Sequence, residues 1–268
     1  LLNSNAGTKY GIPYPVFARL WFGSKGAHIP TLARGIVGAG WFGINCWIGA
    51  GSIDVCLQAF APSWGKVPGH IAIVFAAFWL LNVGVAVFGM NAMRKLSAFA
   101  APTLAIAFIA MAVWAVKSMG GFGPLFQIKS QFATTGDFLK VFFPSMTGVI
   151  AFWATLALNI PDFCRYAKNQ TSQAVAQTIA LPISMAVISG ISIIVTSATM
   201  VLYGEAIWDP VQVIAKFPPF VVFLGTLVII LASLVVNVNA NVVAPARAFE
   251  NLNPRKFTFA VGVLVTGL

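Results

Sequence analysis

An all-α membrane protein is the fold class that these 268 residues predict, on three observations. Only 8% of the residues are charged while 59% are hydrophobic, against about 25% charged in soluble domains. So few charges cannot cover a soluble globule of this size, which sets aside a soluble enzyme, a disordered tail and a disulfide scaffold. The charges are also spaced so that six intervals between them are long enough, or nearly so, to cross about 30 Å of hydrocarbon as helix. Finally, the apolar stretches lack the period-2 alternation that a membrane-spanning barrel requires.

Residues 1–27 are basic and amphipathic, with Gly11, Pro13, Pro15 and Gly23, and are expected to be a cytoplasmic connection. Residues 28–268 are expected to be a transmembrane core of six full spans and the start of a seventh. The charge-free intervals are 35–53, 67–93, 96–116, 141–161, 169–204 and 217–246, with the seventh beginning near Phe257. The start at Leu1-Leu2-Asn3 and the end at Leu268, inside an apolar run, read as an internal fragment of a longer membrane protein. Residues 118–140, with Gly120-Gly121-Phe122-Gly123-Pro124, are expected to form an external loop carrying a short surface helix.

Basic residues set the orientation. Eleven lie on one side (Lys9, Arg19, Lys25, Arg34, Arg94, Lys95, Arg165, Lys168, Arg247, Arg255, Lys256) and five on the other (Lys66, Lys117, Lys129, Lys140, Lys216). The richer side is expected to be cytoplasmic in a multi-pass cell-membrane protein, the inner membrane if the source is bacterial. Four of the six acids, Asp54, Asp137, Glu205 and Asp209, fall outside. The net charge of +10 is dispersed between apolar stretches, so it reports topology and not a nucleic-acid partner. Cys46, Cys56 and Cys164 have neither CxxC spacing nor a neighbouring His in sequence, and read as small apolar packing residues. Asp54 is expected at a solvated outer helix end, and His28 and His70 at the interface.

Three clusters could carry chemistry, because polar groups in hydrocarbon need partners or a task. Trp41 and Asn45 stand at i and i+4 and share a helix face; they can stack on and hydrogen-bond a planar heterocycle, or serve as an interfacial ring and an interhelical bond. Gly148 to Thr155, containing Trp153 and followed by Asn159-Ile160-Pro161-Asp162, reads either as a helix opened by Pro144 and Gly148 or as an ordinary Pro-kinked helix. Asn237, Asn239 and Asn241 could line a site or tie helices together. Arg34 lies about 10 Å before Trp41, and Asp162 about 13 Å past Trp153 on a helix of opposite direction. The two charges are therefore expected at similar depth as an inner-gate ion pair.

At these clusters the chain resembles the nucleobase–cation symporter-1 family. The resemblance rests on Gly11-Ile12-Pro13-Tyr14-Pro15-Val16 through Arg19 and Phe22-Gly23, and on Trp41-Phe42-Gly43 to Trp47-Ile48-Gly49-Ala50. It continues in Phe152-Trp153-Ala154-Thr155-Leu156 with Asn159 to Phe163 and Arg165-Tyr166, and in Asn237 to Asn241 with Val242 to Ala246. It implies a LeuT-like fold of two inverted five-helix repeats, of which this chain would hold about helices three to nine. It implies alternating-access import of nucleobases or related rings such as uracil, allantoin or hydantoins. It also implies substrate contacts at Trp41, Asn45, Trp153 and Asn241, with no cofactor, a small-molecule substrate, surrounding lipid, no nucleic acid and a monomer.

Two departures from the family accompany it. A hydantoin-transporting member has Gln where Asn45 stands and Gly where Phe152 stands. The family's sodium site would fall at Ala232, Val235 and Val236, and the two valines offer no side-chain oxygen, so a coupling proton is expected over sodium. An amino-acid transporter of the same fold, or a channel or non-transporting membrane subunit, are the competing readings. No charge-free interval holds the constellation that an intramembrane enzyme would need.

Overall fold

The structure, a computed structural model, describes residues 1–268. Three short helices open the chain: α1 (Leu2–Tyr10), α2 (Tyr14–Phe17) and α3 (Arg19–Gly26). The long helices α4 (His28–Phe60), α5 (His70–Val87) and α6 (Met90–Ser118) follow. Next come a short α7 (Gly123–Gln127), the long α8 (Thr135–Asn159), and short α9 (Pro161–Cys164) and α10 (Gln170–Val175). A π-helical turn over Ala176–Ala180 leads into α11 (Leu181–Tyr203), and a short α12 (Pro210–Ile214) into α13 (Pro219–Val236). A second π-helical turn over Asn237–Val242 leads into α14 (Val243–Leu252), and α15 (Phe259–Gly267) ends the order.

Six helices are long and apolar enough to cross a membrane: His28–Phe60, His70–Val87, Met90–Ser118, Thr135–Asn159, Gln170–Tyr203 and Pro219–Leu252. Each contains or overlaps one of the six charge-free intervals. The helices outrun several of those intervals because helical hydrogen bonding continues past the first charge, as at Arg34, which lies inside α4. The surface helix expected between 118 and 140 is α7.

Two apolar cores hold the bundle. In the larger, Phe42 and Cys46 of α4 meet Phe78, Val83 and Ala86 of α5, Leu234 of α13, Val238 and Val242 of the second π turn, and Val263 of α15. The smaller joins Ala115 of α6 to Val195 and Ala198 of α11 and to Val213 of α12. Lipid is as apolar as leucine, so helices associate in it by close packing at small residues. Gly49 supplies such a place: a β-carbon there would overlap the ring of Phe78, which is 1% exposed.

α8 runs unbroken through Pro144 and Gly148 to Asn159, so of the two readings of this segment the continuous proline-containing helix holds and the opening at Gly148 does not. Proline removes one donor, and its neighbours can still bond around it; α8 ends at Asn159 and the short α9 begins at Pro161. Within the spanning helices the departures from α geometry are the two π turns, each followed closely by a proline, Pro182 and Pro245, whose ring in an α-helix would meet the carbonyl four residues back, at Thr178 and Asn241 inside those turns.

The Gly49–Phe78 contact predicts that Gly49→Ala lowers thermal stability in detergent by about 1–3 kcal/mol, the usual cost of overpacking. Adding Phe78→Leu, which removes the ring edge, is expected to recover part of that loss.

Candidate functional site

Arg34, 5% exposed, is the polar centre of the inner half of the bundle. Its Nε donates to the Thr155 carbonyl at 2.9 Å and to Asn159 Oδ1 at 2.9 Å, and its Nη2 donates to the Ala240 carbonyl at 3.0 Å. Thr155 lies one turn before the end of α8, and its carbonyl has a second lone pair beyond the helical bond with which to accept from Arg34. Ala240 lies in the π turn, where the widened register frees carbonyls. One guanidinium thus satisfies oxygens from two elements and links α4, α8 and the Asn237–Val242 turn.

The expected ion pair between Arg34 and Asp162 is not formed. Asp162, 3% exposed, accepts the Tyr14 backbone N–H at 2.8 Å instead, fastening the α9 junction to the start of α2. The Arg34 fork is already taken by carbonyl and amide oxygens, and the Asp162 carboxylate by a backbone donor. Burial pushes the Asp162 carboxyl up to about 6, against the opposing pull of the Tyr14 N–H and of Arg247, Arg165 and Arg34. Burial, and then Asp162, raise the Tyr14 hydroxyl.

The aromatic members converge through a third ring. Trp41 meets Phe152 edge to face, with centroids 5.3 Å apart at 88°, and Phe152 meets Trp153 in the same manner at 5.5 Å and 87°. Such edge contacts are the preferred aromatic geometry. Trp41 and Trp153, both half-buried, therefore belong to one aromatic run across α4 and α8. Asn45 donates to the Trp41 carbonyl at 3.1 Å, which fixes its amide one turn along the same face.

The asparagine cluster divides. Asn237, fully buried, donates to the Phe42 carbonyl at 3.2 Å and to Asn82 Oδ1 at 3.1 Å. Asn239 donates to Ser97 Oγ at 3.0 Å and to the Val235 carbonyl at 2.8 Å. Both tie helices together. Asn241, 6% exposed, donates to Asn237 Oδ1 at 2.9 Å and so is positioned by Asn237.

A cavity of about 1070 Å³ lies against α8. Trp153, Gln177, Asn239 and Ala240 line it, whereas Trp41, Asn45 and Asn241 do not. Both π turns border it, one through Ala176, Gln177 and Ala180 and the other through Asn239 and Ala240. Gln177 and Asn82 are polar residues that the sequence analysis does not single out; Asn82 interrupts an apolar helix, which was an available signal, whereas Gln177 merely continues the polar stretch that begins at Gln170.

Asp54 is not a solvated acid. It is 7% exposed and accepts from Gln58 Nε2 at 2.6 Å and from Trp64 Nε1 at 2.9 Å, with His70 Nδ1 at 2.6 Å. Helix α4 reaches beyond the charge-free interval, and the loop to α5 folds over its end.

A family profile described as "Permease for cytosine/purines, uracil, thiamine, allantoin" matches residues 1–268. The chain is 41% identical over 278 residues to "Purine-uracil permease NCS1" of Arabidopsis thaliana, covering 100% of this chain and 46% of that protein. It is 37% identical over 277 residues to "Allantoin permease" of Bacillus subtilis, covering 100% and 56%. The chain thus spans about half the length of these relatives. Among solved structures it is similar to Mhp1, described as a nucleobase-cation-symport-1 family transporter in a closed conformation with bromovinylhydantoin bound. The TM-score is 0.80 at 23% identity, over 99% of this chain and 58% of that one. Against the inward-facing conformation of Mhp1 the TM-score is 0.64. The likeness establishes the partial LeuT-like fold and a multi-pass membrane protein, and the relatives are permeases, not enzymes.

Asp162 generates a pH prediction. Its carboxyl holds a proton more tightly when buried than when unfolded, so its contribution to stability is full below pH 3.8 and is lost as pH rises through about 6. Thermal stability is expected to rise as pH falls from 7 toward 5, with Asp162→Asn flattening that dependence; unfolding scans of the two proteins across this range check it.

Proposed function

The chain belongs to the family of permeases for cytosine and purines, uracil, thiamine and allantoin, and on that premise we propose that the protein is a secondary transporter importing nucleobases or related planar heterocycles. Uracil, allantoin and hydantoins are the ring compounds in view. The aromatic run Trp41–Phe152–Trp153 carries this reading. Two indoles joined across α4 and α8 offer faces to a flat neutral ring and little to an amino-acid backbone.

In this mechanism the ring stacks at Trp41 and Trp153, while Asn45 and Asn241 meet its imide or urea edge. A ring lacking that edge would leave buried amides unpaired, so the amides set specificity. Alternating access moves one bundle against the other about this midplane site, and Arg34 and Asp162 act at its inner gate as separate fastenings. Arg34 holds α8 to the π turn, and Asp162 holds the α9 junction to α2.

Proton coupling is placed ahead of sodium coupling. Val235 and Val236 bring hydrocarbon where a sodium site needs oxygen, and the Val235 carbonyl already accepts from Asn239. A sodium ion requires several hard oxygen ligands, and Ala232 can offer only its carbonyl. The nearest hydroxyl, Ser233, is buried one turn before Val236.

Titration of nucleobases, allantoin and hydantoins against the whole protein tests the site. Trp41→Ala and Asn241→Ala are each expected to weaken the best ligand about tenfold or more, in line with a lost ring contact or an unpaired buried amide. Equal affinity in wild type and variants would remove the proposed site. Uptake measured in sodium-free buffer tests the coupling ion: transport is expected to persist and to be abolished by a protonophore. Loss of uptake, restored by adding sodium, would overturn the proton assignment and point to Ser233.

A further inference from the structure

A second cavity, of about 310 Å³, gathers three of the sixteen basic residues, Arg19, Arg165 and Arg247, all assigned by charge counting to the basic side. Four segments build it: Pro13, Pro15 and Val16 at α2, Arg19 at the start of α3, Arg165 just after α9, and Arg247, Glu250 and Asn251 of α14 with the following Pro254. Only one of its nine lining residues is hydrophobic. Three guanidinium groups face one carboxylate.

The hydrogen-bonding capacity of those arginines is mostly unspent. Arg19 Nη2 donates to Asn251 Oδ1, and Arg247 Nη1 donates to Glu250. Arg165 donates no side-chain hydrogen bond and instead lies over the Tyr166 ring, 5.5 Å from its centroid. A guanidinium carries five donors in a fixed fork, so two committed donors leave most of the set free. Arg247 is also oriented by stacking over Phe259 at 4.8 Å. Rings that hold the forks in place reduce the ordering cost of a ligand. Asp162 lies behind these arginines, but it is buried and turned to the Tyr14 N–H.

We propose that this pocket binds a phosphate group at the membrane surface, supplied by an anionic phospholipid headgroup or by free phosphate. Forked guanidinium groups match phosphate oxygens bidentately. The depth is also right: Arg247 lies five residues before the end of the span Pro219–Leu252, and Arg165 six residues after the end of Thr135–Asn159. Basic pockets between helices at this level are suited to lipid headgroups. Because the pocket joins α2, α9 and α14, an occupant would brace the opening segment against the bundle.

The test uses the whole protein in a neutral detergent. Short-chain phosphatidylglycerol, short-chain phosphatidylcholine and inorganic phosphate are titrated in parallel by calorimetry, at low and at high salt. Phosphatidylglycerol is expected to bind more tightly than phosphatidylcholine, and binding should weaken with ionic strength. Arg165→Gln, which removes the fork with the most free donors, should weaken it about tenfold. Arg19→Gln, at an exposed position, is the second variant should Arg165→Gln not fold, and Lys95→Gln, a basic residue on the same side outside the pocket, should have no effect. Binding of phosphatidylglycerol without phosphate identifies a lipid headgroup, and comparable binding of both identifies the phosphate group itself. Equal affinity in wild type, Arg165→Gln and Arg19→Gln, or an equal loss in Lys95→Gln, would overturn the proposal.

Discussion

Hydrocarbon offers no hydrogen bond to a stray carbonyl, and in this bundle Arg34 meets that constraint for several elements at once. The end of α8 and the π turn at Asn237–Val242 both leave oxygens that their own helices do not satisfy. A single long, forked cation reaches from α4 to both. The aromatic run, the asparagine cluster and the α9 junction all lie within a few turns of that point. Removing the fork would leave buried oxygens unpaired in two places, each costing about 1–3 kcal/mol.

The arrangement explains why the polar residues of the inner half fall into two kinds. Asn237 and Asn239 donate to other helices, and Asn82, whose amide nitrogen donates to the Phe78 carbonyl of its own helix, has its oxygen taken by Asn237. Asn45 and Asn241 are held by one bond from the amide nitrogen to their own element. A residue fixed at one end and uncommitted at the other is suited to recognising a ring edge, whereas a residue fixed at both ends is structural. Gaps between charges are blind to this distinction, because it depends on which helix lies opposite.

The spans and the surface helix α7 were legible because hydrophobic length and charge spacing are local properties of the chain. The pairing of Trp41 with Asn45 on one face was legible for the same reason, from helical periodicity. The partnership of Arg34 with Asp162 was not legible, because partners depend on competing groups such as the Thr155 carbonyl, which accepts from Arg34, and the Tyr14 N–H, which donates to Asp162. Pro144 and Gly148 left two readings of α8 open, and the continuous helix decides between them, since a proline can be carried in a helix whose neighbouring donors remain satisfied. The two π turns have one residue signal, the prolines Pro182 and Pro245 just beyond them, which is weak in a chain with 15 prolines, and the meeting of Arg19, Arg165 and Arg247 required three distant segments to come together.

The π turn at Asn237–Val242 has one more consequence, for how this chain can vary. A π turn is in effect one residue inserted into an α-helix. Deleting one residue between 237 and 242 would let the helix close as plain α, with the part downstream in nearly the same phase, because the wider turn absorbs the extra residue. Arg247 and Glu250 would keep their direction toward Arg165, while the Ala240 carbonyl would return to its own helix and leave Arg34. A loss of length here would therefore act on the middle of the bundle and spare its basic end. The asparagines of the stretch are bound by identity, through the partners of Asn237 and Asn239, and the extra residue is bound by the carbonyl it releases to Arg34.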